Sequence, residues 1–400
     1  MEGINIRKIN KLKKEIGLDR EPEDDIFRSY DIEDIKGIKL MHKNEPVLYF
    51  NNRREIVILN EELVPLQIRD VKYMDLTVLL QFIRSRSISV RRKYYKDIVN
   101  YMGIQQEASE YAIILKTQAL SLQDHYWIKI PSNPQQTWEE INLFENKFSD
   151  AISFIAFTGS RPTVQNSMRT PEVATGGIYP KCWRRIEGEI YLFKASLSNG
   201  IEAETEVFSS RVASFLSDNV LNYDFEVYEN RNSSRCKIFT SLELEEVSST
   251  NLSKYLIRNK INFGDFILRE FRDYYFELLL VDSVVNNRDR HNSNYSFLLS
   301  SSGILKPAPI FDLNNTMSEE DNTSLLDPSR RDNLVILREL LKRKSVEEKI
   351  LNLVKAINDG RLDKANMDLI KHNKNLYEEL KSRLKTRLSL ALASKGTISW

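Results

Sequence analysis

Past the midpoint of the chain lies the stretch Val281-Asp282-Ser283-Val284-Val285-Asn286-Asn287-Arg288-Asp289-Arg290-His291-Asn292-Ser293-Asn294, followed by the tetrapeptide Pro309-Ile310-Phe311-Asp312. The apolar residues that lead into the stretch favour a buried helix, and the polar residues after them favour a loop. The two segments present a carboxylate at Asp289, an amide oxygen at Asn294 and a second carboxylate at Asp312. A loop after a buried helix is a good place for chemistry, because the helix is a rigid mount.

These three oxygen-bearing side chains match the needs of phosphoryl transfer. Asp289 would orient an attacking hydroxyl and accept its proton. Asn294 and Asp312 would bind Mg²⁺, which prefers hard oxygen ligands and takes only one or two of them from a protein. Residues 295–305 read as strand, turn and strand, and such a hairpin would return Asp312 to the side of Asn294. We therefore predict a phosphotransferase that uses ATP and Mg²⁺.

His291 lies in the same predicted loop. A metal-ligand role is disfavoured, because no second histidine lies near it in the sequence. We expect His291 to brace the loop by hydrogen bonding to its backbone or to Asp312. In that position it would support the catalytic Asp289.

Lys194 ends the apolar run Glu189-Ile190-Tyr191-Leu192-Phe193-Lys194, which reads as a strand. A charged residue in an apolar strand needs a reason. We interpret Lys194 as a lysine that contacts ATP phosphates and pairs with a glutamate of the next helix, predicted over residues 202–216. Glu206 is the expected partner and Glu204 the alternative. A lysine that merely reaches solvent from a strand end is the competing interpretation.

Two adjacent glycines, Gly176 and Gly177, precede Lys181 and the predicted strand. Glycine lets the backbone approach phosphates closely, so these residues and Thr175 form a candidate ATP-binding loop. Paired glycines more often mark only a turn. The position of this pair ahead of a strand that ends in lysine favours the ATP-binding interpretation.

The segments Asn287–Asn294 and Pro309–Asp312 resemble those of the HipA-like kinases, bacterial serine/threonine kinases best known as toxins of toxin–antitoxin pairs. The segment Gly176–Lys181 is similar to the glycine-containing phosphate loop of that family, which also ends in lysine. The Asp-Arg-His order in the first segment also looks like the catalytic loop of the phosphatidylinositol kinases. The resemblance covers roughly residues 150 to 390 and is strongest at these motifs.

The resemblance implies a serine/threonine protein kinase that uses ATP and Mg²⁺. It makes Lys194 the ATP lysine, Asp289 the catalytic base, and Asn294 and Asp312 the magnesium ligands. It also implies a protein substrate and an antitoxin or other regulatory protein as a partner. The chain departs from the family at Thr175, since the candidate loop has no serine for autophosphorylation, and no fused helix-turn-helix antitoxin is evident.

The order of predicted elements favours an α+β, bilobal protein-kinase-like fold with a small N-terminal α+β domain and a helical C-terminal lobe. One predicted hairpin joins strands 224–228 and 235–239 through the polar turn Glu229–Ser234. We expect four segments: a charged arm at 1–37, an N-terminal α+β domain at 38–149, a nucleotide-binding lobe at 150–245 and a helical catalytic lobe at 246–400.

The composition excludes several classes of protein. The 58 basic and 57 acidic residues balance, so no overall field draws the chain to nucleic acid or membranes. Two cysteines, Cys182 and Cys236, are too few for a disulfide framework or a four-cysteine zinc site. The polar N-terminus is unlike a secretory signal, and charges interrupt the most apolar long segment, 263–285. We expect a cytoplasmic protein that does not contact a membrane.

One local basic cluster stands out near the junction of two predicted N-terminal helices: Arg84, Arg86, Arg91, Arg92, Lys93 and Lys96. Such a cluster can contact a nucleic-acid backbone, directly or beside a partner protein. Short basic faces are usually only solvated. We therefore do not expect nucleic-acid contact without a partner.

Two other functions remain open from the sequence. A non-catalytic binding module would keep the kinase fold for regulation, but it would be free to lose Lys194, Asp289, Asn294 or Asp312, and all four are present. A lipid or small-molecule kinase would use the same groups. The lack of a basic surface that could face a membrane weighs against the lipid substrate.

Overall fold

The computed structural model describes residues 4–5, 37–51, 53, 55–104, 110–162, 169–197, 200–317 and 333–393. The chain divides into two units, each assembled from separate stretches. Unit 1 comprises Met1–Ile190, Thr240–Phe263 and Phe297–Lys306, and unit 2 comprises Tyr191–Phe239, Gly264–Ser296 and Pro307–Trp400. The four segments expected from the sequence stay predictions. Apart from residues 4–5 and 37, the arm at 1–37 lies outside the described residues.

The mixed α+β composition expected from the sequence is confirmed. The strands are β1 Ile4–Asn5, β2 Lys39–His42, β3 Glu45–Phe50, β4 Ile56–Ile58, β5 Tyr126–Lys129, β6 Lys181–Ile186, β7 Glu189–Ala195, β8 Tyr223–Tyr228, β9 Arg231–Lys237, β10 Leu244–Ser248, β11 Ser296–Ser300 and β12 Ile304–Pro307. The helices are α1 Leu76–Arg84, α2 Tyr95–Tyr101, α3 Glu110–Thr117, α4 Trp138–Ile141, α5 Asp150–Thr158, α6 Glu202–Ala213, α7 Ser249–Arg258, α8 Phe263–Glu270, α9 Arg272–Val285, α10 Asn333–Leu340, α11 Lys344–Asn358, α12 Arg361–Ala365, α13 Met367–His372 and α14 Lys374–Ala393.

Unit 1 contains two four-stranded sheets, with the strand orders β4-β3-β2-β5 and β1-β12-β11-β10. The first sheet is antiparallel, and its strands β3 and β4 form a hairpin. Apolar side chains of its strands β2 and β3 pack with those of helix α1 in one buried core. Helix α1 starts at its N-cap Asp75, whose carboxylate accepts a hydrogen bond from the N–H of Val78 at 2.9 Å.

Unit 2 contains an antiparallel sheet in the order β7-β9-β8 and most of the C-terminal helices. In its register, Lys194 and Phe225 both lie opposite Ser234, so the three side chains share one face of the sheet. Helices α6 and α9 are buried along most of their length. The sheet and these two helices position the residues of the candidate site that unit 2 holds.

The hairpin between β8 and β9 has a tighter turn than the sequence suggested. Strand β9 already begins at Arg231, so only Glu229 and Asn230 connect the strands. Both have positive φ angles, 46° and 59°, as a two-residue type I′ turn requires. The prediction that the turn extends to Ser234 is wrong. The two-residue turn matches the twist of the two strands, so that β8 and β9 pair directly from Tyr228 and Arg231 onward.

Among the described helices, none is both long enough and apolar enough to cross a membrane. The most apolar long segment of the sequence is divided between α8 and α9. Helix α9 ends at Val285, and its C-cap residue Asn286 has a left-handed φ of 51°. The candidate catalytic loop begins there.

Candidate active site

Lys194 on β7 is held between two carboxylates. Its Nζ donates hydrogen bonds to Oε1 of Glu206 at 2.6 Å and to Oδ1 of Asp312 at 2.8 Å. Burial alone would lower the pKa of Lys194, but the charges of Asp312 and Glu206 outweigh burial and raise this pKa. The side chain is only 12 % exposed, so the interpretation of Lys194 as a lysine that reaches solvent is wrong.

Glu206, rather than Glu204, is the partner of Lys194. Glu206 is fully buried on α6, and its Oε2 accepts a short hydrogen bond from the hydroxyl of Ser234. Glu204 lies on the same helix but accepts hydrogen bonds from Asn232 at 2.6 Å and from Ser196 at 3.3 Å. The early start of β9 at Arg231 thus brings Asn232 and Ser234 to the two glutamates.

Asp312 has a φ of 61°, in the left-handed region that non-glycine residues rarely adopt. Such a backbone conformation costs on the order of 1–3 kcal/mol and is concentrated at functional sites. The ion pair with Lys194 helps to hold Asp312 in this conformation. The backbone N–H of Asp312 points to the hydroxyl of Tyr223 at 3.5 Å. Burial, followed by the charge of Glu206, raises the pKa of Tyr223, so its hydroxyl stays neutral.

Asp289 and Asn294 lie side by side in the loop that follows α9. The amide nitrogen of Asn294 donates to the backbone carbonyl of Asp289 at 2.8 Å and lies 3.5 Å from Oδ2 of Asp289. Because the nitrogen is used in this way, the amide oxygen is the atom that Asn294 offers as a ligand. The side chain of Asp289 is 48 % exposed, so its carboxylate is accessible from solvent.

His291 makes a hydrogen bond of the kind expected from the sequence. Its Nδ1 accepts from the backbone N–H of Ser293 at 3.1 Å, and its Nε2 lies 3.9 Å from Oδ1 of Asp289. The ring therefore braces the loop backbone next to Asp289. Its place in catalysis stays a prediction.

Arg290 is the residue of this site whose importance the sequence analysis missed. It is fully buried, and its Nε and Nη2 donate to the carboxylate of Asp282 at 3.0–3.3 Å. Its Nη1 donates to the carbonyl oxygens of Asn294 and Phe311. Burial alone would lower the pKa of Arg290, but the charge of Asp282 outweighs burial and raises this pKa. One guanidinium therefore connects the catalytic loop to the residue before Asp312.

Asp282 carried the only sequence signal for this network, because it is an acid inside the apolar segment that leads into the loop. A buried carboxylate needs a charged or hydrogen-bonded partner. Asn287 supplies a second contact, since its Nδ2 donates to Oδ1 of Asp282 at 2.8 Å. The Oδ1 of Asn287 accepts from the N–H of Asp289 at 3.1 Å. Asp282 thus anchors the loop from the end of α9.

The candidate ATP-binding loop belongs to unit 1. Thr175 Oγ1 accepts from Nε1 of Trp183 at 2.9 Å and donates to the carbonyl of Pro171 at 2.8 Å. Gly177 has a φ of 89°, a backbone conformation that residues with a Cβ rarely adopt, so glycine is strongly favoured there. No neighbour lies within 4 Å of the Cβ position at Gly176. The assignment of Thr175, Gly176, Gly177 and Lys181 to ATP binding stays a prediction.

Two members of the basic cluster are buried in ion pairs of unit 1. Arg86 donates to Asp124 at 2.6 Å, and Arg92 donates to Glu172 at 2.6 Å. Arg92 also donates to the carbonyl of Lys181 at 3.0 Å and so supports the end of the candidate loop. These two arginines are therefore structural and not part of a nucleic-acid surface.

The residues of unit 2 fit a magnesium ion and the phosphates of ATP. Asn294 and Asp312 supply oxygen atoms, which Mg²⁺ prefers. A carboxylate has two oxygens with about four lone-pair sites, so the contact of Asp312 with Lys194 does not exhaust its capacity. The charged Lys194 is suited to phosphate oxygens, and Arg290 fixes the backbone around both expected ligands.

No protein-family model matches the chain, and no curated protein matches it. Among solved structures, HipA from the toxin–antitoxin system of Shewanella oneidensis MR-1, solved with HipB and operator DNA, matches with a TM-score of 0.55 and 16 % identity. That match covers 88 % of this chain and 96 % of the HipA chain. The proinflammatory kinase CtkA of Helicobacter pylori matches with a TM-score of 0.45 and 17 % identity, over 56 % of this chain and 94 % of CtkA. Because the HipA match spans most of both chains, this chain has the HipA-like, protein-kinase-like fold.

Proposed function

We propose that this chain is an ATP- and Mg²⁺-dependent kinase that transfers the γ-phosphoryl group to a serine or threonine hydroxyl of a protein. The observation that carries the proposal is the contact of Lys194 with Glu206 at 2.6 Å and with Asp312 at 2.8 Å. In protein kinases the lysine that contacts the ATP phosphates forms an ion pair with a glutamate, and a magnesium-binding aspartate lies in the same site. The HipA-like fold supports the same activity.

Each residue contributes through its position. Asp289 accepts the proton of the attacking hydroxyl as that oxygen bonds to the γ-phosphorus and the bond from phosphorus to the leaving oxygen of ADP breaks. Lys194 binds phosphate oxygens, and Asn294 and Asp312 hold Mg²⁺. When bound, the ion neutralises charge on the phosphates. His291 keeps the loop of Asp289 in place through its hydrogen bond to Ser293.

We further propose that the glycine-containing loop takes part in ATP binding and that a second protein regulates the kinase. The solved HipA structure contains HipB and operator DNA, which supports a protein partner here and contact with nucleic acid in the presence of such a partner. ATP as the phosphate donor and two buried cysteines that form no disulfide support a reducing, cytoplasmic setting.

Transfer from γ-labelled ATP tests the proposal. The purified chain is incubated with Mg²⁺ and labelled ATP, alone and with cell extract, beside Asp289→Asn and the control Asp273→Asn, which changes an exposed aspartate in α9. We expect label in a protein band with wild type and the control, and at least about 10²-fold less with Asp289→Asn. ATP binding without transfer in any form would support the non-catalytic module instead. Label in a lipid or a small molecule would instead identify a lipid or small-molecule kinase.

A further inference from the structure

Unit 1 holds a cluster of metal-ligating side chains that the proposed kinase activity does not use. It consists of His42 at the end of β2, His125 just before β5 and Glu245 in β10. One ligand atom of each residue lies within 4.8 Å of the other two. His125 and Glu245 are buried, and His42 is nearly so. The chain has four histidines in total, so half of them meet in this cluster.

The two distances from Glu245 to the histidines are close to those between the ligands of a tetrahedral metal ion. Oε1 of Glu245 lies 3.0 Å from Nε2 of His42 and 3.4 Å from Nδ1 of His125. Ligands about 2.0–2.1 Å from a zinc ion at tetrahedral angles are about 3.3 Å apart. The two separations therefore lie close to the edges of a zinc coordination tetrahedron.

The hydrogen bonds of His125 provide a second, independent observation. Its Nε2 lies 2.7 Å from the carbonyl oxygen of Ser241, which can only accept, so Nε2 carries a proton. Its Nδ1 therefore bears the lone pair and faces Oε1 of Glu245 at 3.4 Å, an arrangement of two acceptors that a bound cation would stabilise. Histidines that bind metals characteristically donate their other N–H to a backbone carbonyl, as His125 does.

The surroundings also match those of a protein metal site. The ring of His42 packs 4.8 Å from that of Tyr126, and the ring of His125 packs 5.8 Å from Trp138 and 5.5 Å from Phe144. Such an aromatic shell limits solvent access to a bound ion. Oε1 of Glu245 also accepts the backbone N–H of His125 at 2.8 Å, which orients the carboxylate.

We propose that His42, His125 and Glu245 bind one divalent transition-metal ion of the zinc class, which fastens β2, β5 and β10 of unit 1. Two imidazoles and a carboxylate are a known zinc-ligand set, and they leave a fourth position for water. Imidazole-rich sites disfavour Mg²⁺ and Ca²⁺, which prefer oxygen. The three residues are separated by 83 to 203 positions in the sequence, so the ion would join distant segments.

The test uses the full chain, freed of metal with a chelator and then titrated with Zn²⁺ by calorimetry in excess Mg²⁺, which masks the kinase site. Glu245→Gln keeps the size and hydrogen bonding of the side chain and removes its charge, and His42→Gln removes one imidazole. His372→Gln is the matched control, because His372 lies in unit 2. We expect one equivalent of Zn²⁺ in wild type and the control, and affinity at least about 100-fold lower in the two cluster variants.

Thermal unfolding in chelator checks that the cluster variants fold. If they do not, X-ray absorption of the Zn²⁺-loaded wild type decides, and two imidazole ligands are expected. The proposal is overturned if wild type binds no stoichiometric Zn²⁺, if Glu245→Gln binds as tightly as wild type, or if the spectrum shows no imidazole. None of these readouts depends on phosphate transfer.

Discussion

Nη1 of Arg290 donates a hydrogen bond to the carbonyl oxygen of Phe311 at 2.9 Å. The same nitrogen donates to the carbonyl oxygen of Asn294. The backbone next to Asp312 and the backbone of Asn294 therefore share one donor. Because both side chains are the proposed magnesium ligands, we expect the buried Arg290 to position them for the same ion.

Replacing Arg290 tests this positioning role. Arg290→Met leaves the carboxylate of Asp282 buried without its charged partner, so we expect the free energy of unfolding to fall by about 3–5 kcal/mol. Arg290→Lys keeps the charge but cannot reproduce the fork of donors, so we expect a folded protein with transfer reduced by about 10²-fold. Denaturant unfolding and the Mg²⁺ dependence of transfer are the measurements. Normal Mg²⁺ dependence in a folded Arg290→Lys would remove Arg290 from this role.

Substitutions of the two glutamates of α6 can be compared directly, because Glu206 contacts Lys194 and Glu204 does not. Glu206→Gln removes one of the two negative charges that contact the Lys194 ammonium group. We expect the ratio kcat/KM for ATP to fall by about 10²-fold. Glu204→Gln keeps one oxygen that accepts from Asn232 and places an amide nitrogen that can donate to Oγ of Ser196, and we expect kinetics close to wild type. Steady-state kinetics with ATP as the varied substrate compares them. Equal losses in the two variants would contradict the assignment of Glu206.

Asp312→Asn tests magnesium binding with little disturbance of the backbone. Asparagine tolerates the left-handed φ of 61° at this position, so the main change is the lost charge. We expect a higher Mg²⁺ requirement for nucleotide binding and little change in nucleotide affinity when Mg²⁺ is omitted. Titrations of ATP with and without Mg²⁺ measure both. An unaltered Mg²⁺ requirement would show that Asp312 is not a ligand.

We expect Asp368 to make the free energy of unfolding depend on pH in the acid range. Partial burial alone would raise the pKa of Asp368, but the hydrogen bonds and charge of Arg211 outweigh burial and lower it. A lowered folded-state pKa gives stability that is complete above the unfolded-state value of about 3.9 and is lost as pH falls through the folded-state value. We therefore expect Asp368→Asn to be less stable than wild type near neutral pH.

The stability difference between wild type and Asp368→Asn should shrink as the pH falls below about 4. Denaturant unfolding of both proteins across this range gives the difference directly. A difference that stays constant or grows on acidification would show that the pair with Arg211 does not have this effect.

The sequence was sufficient for those parts of the site that depend on local order. The Asp289–Asn294 spacing, the strand that ends near Lys194 and the helix that carries Glu206 all follow from residue type and periodicity. The mixed fold followed as well, since apolar runs specify strands and helices locally. The choice between Glu206 and Glu204 did not follow, because both lie in the first turns of α6 and only the packing against Ser234 and Asn232 distinguishes them.

By itself the sequence determined which candidate site residues are present and in what order they follow one another, because each motif spans only a few consecutive residues. The tertiary structure decided which groups meet across long separations, because burial forces charged side chains to find partners wherever the packed chain brings them. Arg290 with Asp282 and Phe311 is one such case. His42 with Glu245, which are 203 positions apart, is another.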